Sequence, residues 1–439
     1  EKITNVIIET NGILFDNNRR FDISGDLTIR GTYTGSGRLK VKGLGNTIDG
    51  TGIITTSGEL RLEGGSTNIA STAILTKSPG IVGLRNGHQV VNNGDFTIGG
   101  DMTGQNADAS WTNAENSTLV ISGALLSTGT LVATSANNTV EYNGGTSQVF
   151  KATDYCNVSS TGTATHTLNA DMVAYGNVYI SAVNTLDASG FNIEVWGDWT
   201  NDGGNFMAAA GTVSFKGSST QTITKPGGEA FGNLTIDAGS AIQTGGSKDS
   251  LYISGTWTNN GTFVQQTGTV NFNGTTAQAI AGSAKTTFSN LTIDNAAGVT
   301  LSGATDIEQT LALTSGTFNT SGQDFTLIST SNATARIGQI TGGDITGGII
   351  MQRYIDSGTT GYHFITPPVS GATLADWDQE MILSIPDGDN GLACSSNWCF
   401  WSVKYYNEGV AGVNSLGYDS LGTRGARLGV GTVYWFNTV

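Results

Sequence analysis

GTVSFKGSSTQTI at 211–223 returns as GTVNFNGTTAQAI at 268–280, and FGNLTID at 231–237 returns as FSNLTID at 288–294. Phe215 falls on Phe272, Gly217 on Gly274, Gln221 on Gln278 and Phe231 on Phe288, all with the same offset of 57. A constant offset over many positions means structural equivalence. A looser copy, TVEYNGGTSQVF at 139–150 followed by YCNV at 155–158, sets Tyr155 and Asn157 against Phe231 and Asn233 and puts Cys156 in the slot of Gly232 and Ser289.

Within each copy the apolar residues alternate, as in Val213 and Phe215, Leu234 and Ile236, or Leu251 and Ile253. Period two over four to six residues is the mark of a strand with one buried face. Gly-Asp, Asn-Gly and Gly-Gly turns bound these runs, and no helical periodicity is long enough to cover a sheet. The strands therefore have to cover each other. A propeller needs near-equal blades, whereas the spacing changes from 73 (Tyr142 to Phe215) to 57. A solenoid tolerates unequal turns because only neighbouring coils touch. The expectation is an all-β chain: a β-solenoid (β-helix) rod of irregular repeats over 1–348, with 211–267 and 268–324 as its clearest units. Coils of roughly 20 residues at the ~4.8 Å strand spacing give a rod on the order of 80 Å. Phe215 and Phe272, and Phe231 and Phe288, are expected to stack in ladders along it. Asn157, Asn233 and Asn290 are read as corner residues that accept a left-handed backbone and bond amide to amide, or as ordinary exposed turn residues.

After about Gly348 the texture changes. Three of the five prolines and four of the eight tryptophans lie beyond residue 360, so 349–439 is expected to be a smaller, compact β-rich domain packed on aromatic anchors and capping the solenoid. SGATLADWDQEM is expected to supply one short helix, with Ser370 as its cap.

Composition narrows the function. The 63 glycines and the Thr, Ser and Asn runs suit many tight turns, and β-branched residues recur too often for disorder. Formal net charge is -15 with no Lys/Arg run, so a phosphate backbone is repelled and nucleic acid is excluded as a partner. No apolar run reaches the ~20 residues that span a bilayer, and EKITNVIIETNG is not a signal peptide. The chain is therefore expected to be cytosolic or already processed.

The run DFTLISTSNATARIGQITGGDITGGIIMQRYI, followed by GYHFITPPVSGATLADW, resembles a segment of large secreted and cell-surface proteins of Bacteroidota exported by the type IX secretion system. The matching positions are Arg353, Tyr354 and Ile355, then Phe364, Pro368, Val369, Gly371, Thr373, Leu374 and Asp376. The resemblance implies an extracellular or surface location and a structural or adhesive role, with self-association, other surface components or glycans as partners. It implies no activity. It also implies that a sorting domain beyond Val439 was removed or lies in a longer protein. Asp-Ser-Leu triplets at Ser250 and Ser420 resemble the O-glycosylation acceptors of this group.

An enzyme of the polysaccharide lyase or hydrolase kind, or a carbohydrate-binding β-helix, is the rival reading. Such enzymes need clustered carboxylates with an Arg or Lys. Here Asp26, Asp95, Asp101, Asp198 and Asp344 sit in Gly-Asp turns, and His88, His166 and His363 are far apart in sequence. No catalytic residue is assigned and the chain is read as a non-enzyme. In PDGDNGLAC, Asp387, Asp389 and Asn390 offer oxygen ligands for Ca²⁺ but lack the bidentate Glu of an EF-hand, and a plain acidic turn reads equally from them. Cys394 and Cys399 are spaced to close a disulfide loop or to stand as two thiols. Trp199 and Trp257, in GDWTN and GTWTN, are read as sugar platforms or, because they recur in the repeat, as structural residues on a strand or at its edge. Ice binding is set aside, because long regular TxT rows are missing.

Overall fold

Strands of three or four residues with alternate side chains buried, such as Thr212–Phe215, are too short to make a sheet along the chain and pair instead with the strand one coil away. The computed structural model describes residues 3–246, 249–264, 266–356, 361–367, 369–378, 403–407, 409, 418–421, 426–429 and 432–438. The chain divides into two units, Glu1–Phe325 with Arg336–Gly348 and Thr326–Ala335 with Ile349–Val439.

The first unit is a parallel β-solenoid of about 16 turns. Chain order cycles through three walls. The second wall is one sheet of 13 strands, from Ile13–Phe15 to Thr262–Val264. Its steps run from 18 residues, Thr139 to Asn157, to 24, Trp199 to Ile223. The first wall runs from Val6–Ile8 to Thr130–Val132, crosses the Ala133, Tyr155 and Ala174 bridges, and resumes at Met172–Ala174. The third wall is carried by successive sheets that begin at Phe21–Ile23, Gln148–Val149 and Glu229–Phe231. Inward side chains stack in columns. On the second wall one column reads Tyr33, Ile54, Lys77, Ile98, Ile121, Tyr142, Ser160, Ile180 and Asn201.

The expected ladders between repeat copies are not formed. Phe215 pairs with Val195 and Ile236 on the first wall, while Phe272 pairs with Ile253 and Ile293 on the third. Phe231 is on the third wall and Phe288 opens the strand Thr286–Asp294, against Ile307. All four phenylalanines are buried, and the column that does form, Phe231, Ile253, Phe272 and Ile293, joins Phe231 to Phe272 and not to Phe288. The cause is strand count. Eight strands separate Thr212–Phe215 from Thr269–Phe272, one short of three full turns, so each copy starts one wall away from the last. The solenoid survives because an inward-facing strand fits any of its three walls.

The recurring asparagines also differ from the expected amide ladder. Asn157 Nδ2 donates to Asn138 O (3.0 Å) and its Oδ1 accepts the Asn177 N–H (2.9 Å); Asn233 does the same with Ala210 O and the Thr256 N–H. Asn290 donates to Thr267 O at 3.1 Å. Each ties its corner to backbone one coil away, which satisfies groups that a turn leaves open. Asp26, Asp101 and Asp198 act likewise, accepting the N–H groups of Thr47, Ala124 and Thr222. Left-handed corners with amide-to-amide bonding occur elsewhere, at Asn116 and Asn137 (φ 60° and 57°, 3.0 Å).

A second device lies in the repeat itself. Gln221 Nε2 donates to Val195 O and Gly197 O, and its Oε1 accepts the Gly217 N–H at 2.7 Å. Gln148 and Gln278 repeat this with Gly144 and Gly274. A Cβ on Gly217 would stand 2.4 Å from Trp196 O and 2.9 Å from Gln221 Cδ, which is why the position is glycine.

The second unit contains an antiparallel sheet ordered Gly361–Ile365, Tyr434–Thr438, Val403–Tyr406, Tyr418–Ser420. Leu374, Val403, Leu428 and Tyr434 form its core, with Trp377 packed edge-on against Tyr434 at 5.9 Å. The helix is Leu374–Asp378, and its cap is Thr373 rather than Ser370. Asp376 Oδ2 accepts both the Thr373 N–H (2.7 Å) and its hydroxyl (2.9 Å), the backward half of a capping box.

Candidate functional site

Polar side chains that could carry chemistry are brought together in the solenoid interior. Ser160 Oγ donates to Asn184 Oδ1 (2.5 Å) and lies 3.0 Å from His166 Nδ1, with His166 Nε2 at 3.4 Å from Gly144 O. Ser160 and His166 are six residues apart on successive walls of one coil, and Asn184 reaches them from the next coil. This has the membership of a nucleophilic triad without its access. Ser160, His166 and Asn184 are at most 2% exposed, and burial lowers the His166 pKa. The serine proton is directed at the amide oxygen, away from the imidazole that would have to remove it.

His88 is enclosed in the same way, with Nε2 2.9 Å from Thr67 Oγ1. Loss of hydration drives its pKa down to about 4, against a smaller upward pull from Glu63. Lys77 is fully buried, and its ammonium donates to Thr56 O (2.7 Å) and to Pro79 O. Burial lowers its pKa to about 8. Glu229, also fully buried, receives Trp199 Nε1 and Asn201 Nδ2 on one oxygen, both at 2.8 Å, and Lys225 Nζ at 3.0 Å on the other. These groups hold neighbouring coils together.

Trp199 and Trp257, read from the sequence as sugar platforms or as structural residues of a strand or its edge, open the strands Trp199–Asn201 and Trp257–Asn259 and face the core with zero exposure. They recur because the repeat needs a large apolar body there, T-packed on Phe206 and Phe231 in one copy and on Phe263 and Phe288 in the other.

Two features remain on the outside. On the third wall, ion pairs run between coils from Lys40 to Glu63 at 2.9 Å and from Arg85 to Glu59, and Arg61 pairs with Glu63 of its own strand at 2.5 Å. The Lys40 ammonium, seconded by the Arg61 guanidinium, holds the Glu63 carboxyl below the usual range. On the first wall, Tyr175 and Trp196 stand 49% and 42% exposed on successive coils, ring centroids 6.1 Å apart. Sequence reading passed over Trp196 in favour of Trp199, three residues on. The distinguishing signal was the in-out alternation itself, which runs on through Gly197: Ile193, Val195 and Trp199 face inward and Trp196 faces out.

Asp387, Asp389, Asn390, Cys394 and Cys399 lie outside the described residues. Ser420 ends the strand Tyr418–Ser420, and Ser250 is half-buried with its carbonyl accepting the Glu229 N–H at 3.0 Å. Cys156 is a free, half-buried thiol. Among the described residues no group of three or more His, Cys, Asp or Glu side chains could hold a metal ion, and no helix is long and apolar enough to cross a membrane. No protein-family model, no curated protein and no solved structure matches the chain.

Proposed function

We propose that this chain is a structural and adhesive element of a bacterial surface, exported from the cell and acting by length, surface and self-association and not by catalysis. The supporting observation is the direction in which its chemistry faces. The serine, histidines, buried lysine and buried glutamate that an enzyme would turn toward a cleft point inward here and join coil to coil. Such an interior makes a long, self-supporting element out of nearest-neighbour contacts. The first described coil adds a reason for self-association: Ile7, Ile13 and Phe15 are 61%, 73% and 60% exposed around its strands. An exposed apolar cluster favours association with another chain.

Electron microscopy and sedimentation velocity of the purified chain test the proposal. Elongated particles that associate end to end with rising concentration are expected, and compact globular monomers would overturn it. Incubation with acidic polysaccharides, with and without Ca²⁺, tests the carbohydrate-active reading, and reproducible depolymerisation would replace the proposal with that one.

A further inference from the structure

We propose that Tyr175 and Trp196 form a stacking platform for a neutral, β-linked glycan on the outer face of the first wall. The inference rests on the adhesive reading and names the ligand class that the surface would hold.

Tyr175 and Trp196 follow the paired residues Ala174 and Val195, so the rings stand one above the other along the solenoid axis. Their planes are inclined by 43° and both rings are about half open to solvent, in a unit whose other described tryptophans, Trp111, Trp199 and Trp257, are fully buried. Core packing therefore does not account for them. Each is followed by a glycine, and the Gly197 N–H bonds to Gly176 O at 2.9 Å. Asn157 Oδ1 and Asn177 Oδ1 fill the space where a Cβ would stand on Gly176 and Gly197, 2.4 Å from each, so the corner beside the rings is edged by amide side chains.

The rim defines the ligand. Glu194, two residues before Trp196, pairs with Lys216 of the next coil at 2.8 Å, and Lys216 reaches Asp237 at 3.5 Å. Two carboxylates face one ammonium, so a uronate or sulfated polymer is repelled. Hydroxyl groups, which both donate and accept, match this rim. An aromatic face binds the C–H face of a sugar through apolar contact and its quadrupole. That face is flat when the ring substituents are equatorial, as in β-linked hexopyranoses. Rings spaced by one coil then serve successive sugars of an extended chain laid along the axis. A protein partner would need about 800 Å² per side around an apolar centre, and two rings bordered by charges and glycines do not offer it.

The test titrates the full chain with cellohexaose, following tryptophan emission and heat of binding, and with hexagalacturonate, a chain that is both carboxylated and α-linked. Binding of cellohexaose with a change in emission is expected, with no binding of hexagalacturonate. Trp196→Ala should abolish the emission change and weaken binding about tenfold or more, and Tyr175→Ala should weaken it in the same direction. Both variants should keep the native melting temperature, since the side chains are exposed. If Trp196→Ala melts early, Trp196→Tyr decides, and the retained ring should keep binding within a few-fold. Failure of the native chain to bind cellohexaose, equal binding by Trp196→Ala, or preference for hexagalacturonate would overturn the proposal. Particle shape and association of the same Trp196→Ala sample report separately on the structural reading, which this substitution leaves untouched.

Discussion

Trp199 Nε1 donates to Glu229 Oε2 at 2.8 Å inside the solenoid, while the equivalent indole nitrogen, Trp257 Nε1, is buried with no acceptor. Thr286 stands where Glu229 stood and takes only Asn259 Nδ2, at 3.1 Å. The lysine that neutralises Glu229 has no counterpart either. Gly282 occupies that place at φ +125°, and a Cβ there would meet Asn259 O at 1.9 Å. The charged version is thus confined to one copy. Trp199→Phe and Trp257→Phe remove the same ring volume, but only the first takes a donor from a buried carboxylate, which then keeps Asn201 and Lys225. Trp199→Phe should therefore cost about 1–2 kcal/mol more than Trp257→Phe in urea unfolding. Glu229→Ala, which leaves Lys225 unpaired, should cost about 3–5 kcal/mol. Equal losses for the two tryptophans would mean that the carboxylate contributes nothing to the fold.

Gln221 and Gln278 each join three backbone groups on two coils. Truncation strands two carbonyls and one N–H in a buried corner, so Gln221→Ala and Gln278→Ala should each cost about 2–3 kcal/mol. The two sites share no partner, and the double variant should lose the sum. Chemical denaturation measures both. A loss under about 0.5 kcal/mol for either would show that water replaces the amide at no cost.

Much of this architecture was legible in the sequence, and the rest was hidden for definable reasons. Alternation such as Val213 and Phe215 fixes which side chains face inward, and the repeated Gly217 and Gln221 mark a corner. Wall identity is different: three equivalent walls accept any inward-facing strand, so the offset between Phe215 and Phe272 reports strand order without reporting rotation. Ser160 and His166, six residues apart, meet Asn184 from the next coil, and coil lengths that vary from 18 to 24 residues blur that second separation. Trp196 and Trp199, three residues apart, fall on opposite faces by simple alternation, a signal that was legible and was passed over.

Acid should weaken the fold through His88. Its folded pKa of about 4 lies below the unfolded value of about 6.5, so between these pH values the unfolded chain binds a proton that the fold does not. The stabilisation is complete above about pH 6.5 and is lost as pH falls toward 4, by about 3 kcal/mol. His88→Gln has no such titration. Urea midpoints at pH 7 and pH 4.5 should draw the native chain toward the variant by most of that amount, and parallel pH dependences would sink the assignment.

Lys77 sets the opposite end of the pH range. Its folded pKa of about 8 lies below the unfolded value of about 10.4, and the unfolded chain holds the extra proton between the two. Stability from this group therefore rises with pH across that window. Below pH 8 the fold carries a buried ammonium at a cost of about 3 kcal/mol, which deprotonation relieves. The amine can still donate to Thr56 O and Pro79 O after it loses its charge, so the coil contact survives the titration. Lys77→Met removes the charge and both donors, and two carbonyls lose their partner at every pH. The native chain should gain on Lys77→Met by about 3 kcal/mol between pH 7 and pH 10.5, read from paired melting curves. A constant difference across that range would mean that Lys77 stays charged in the folded state and that water reaches its ammonium.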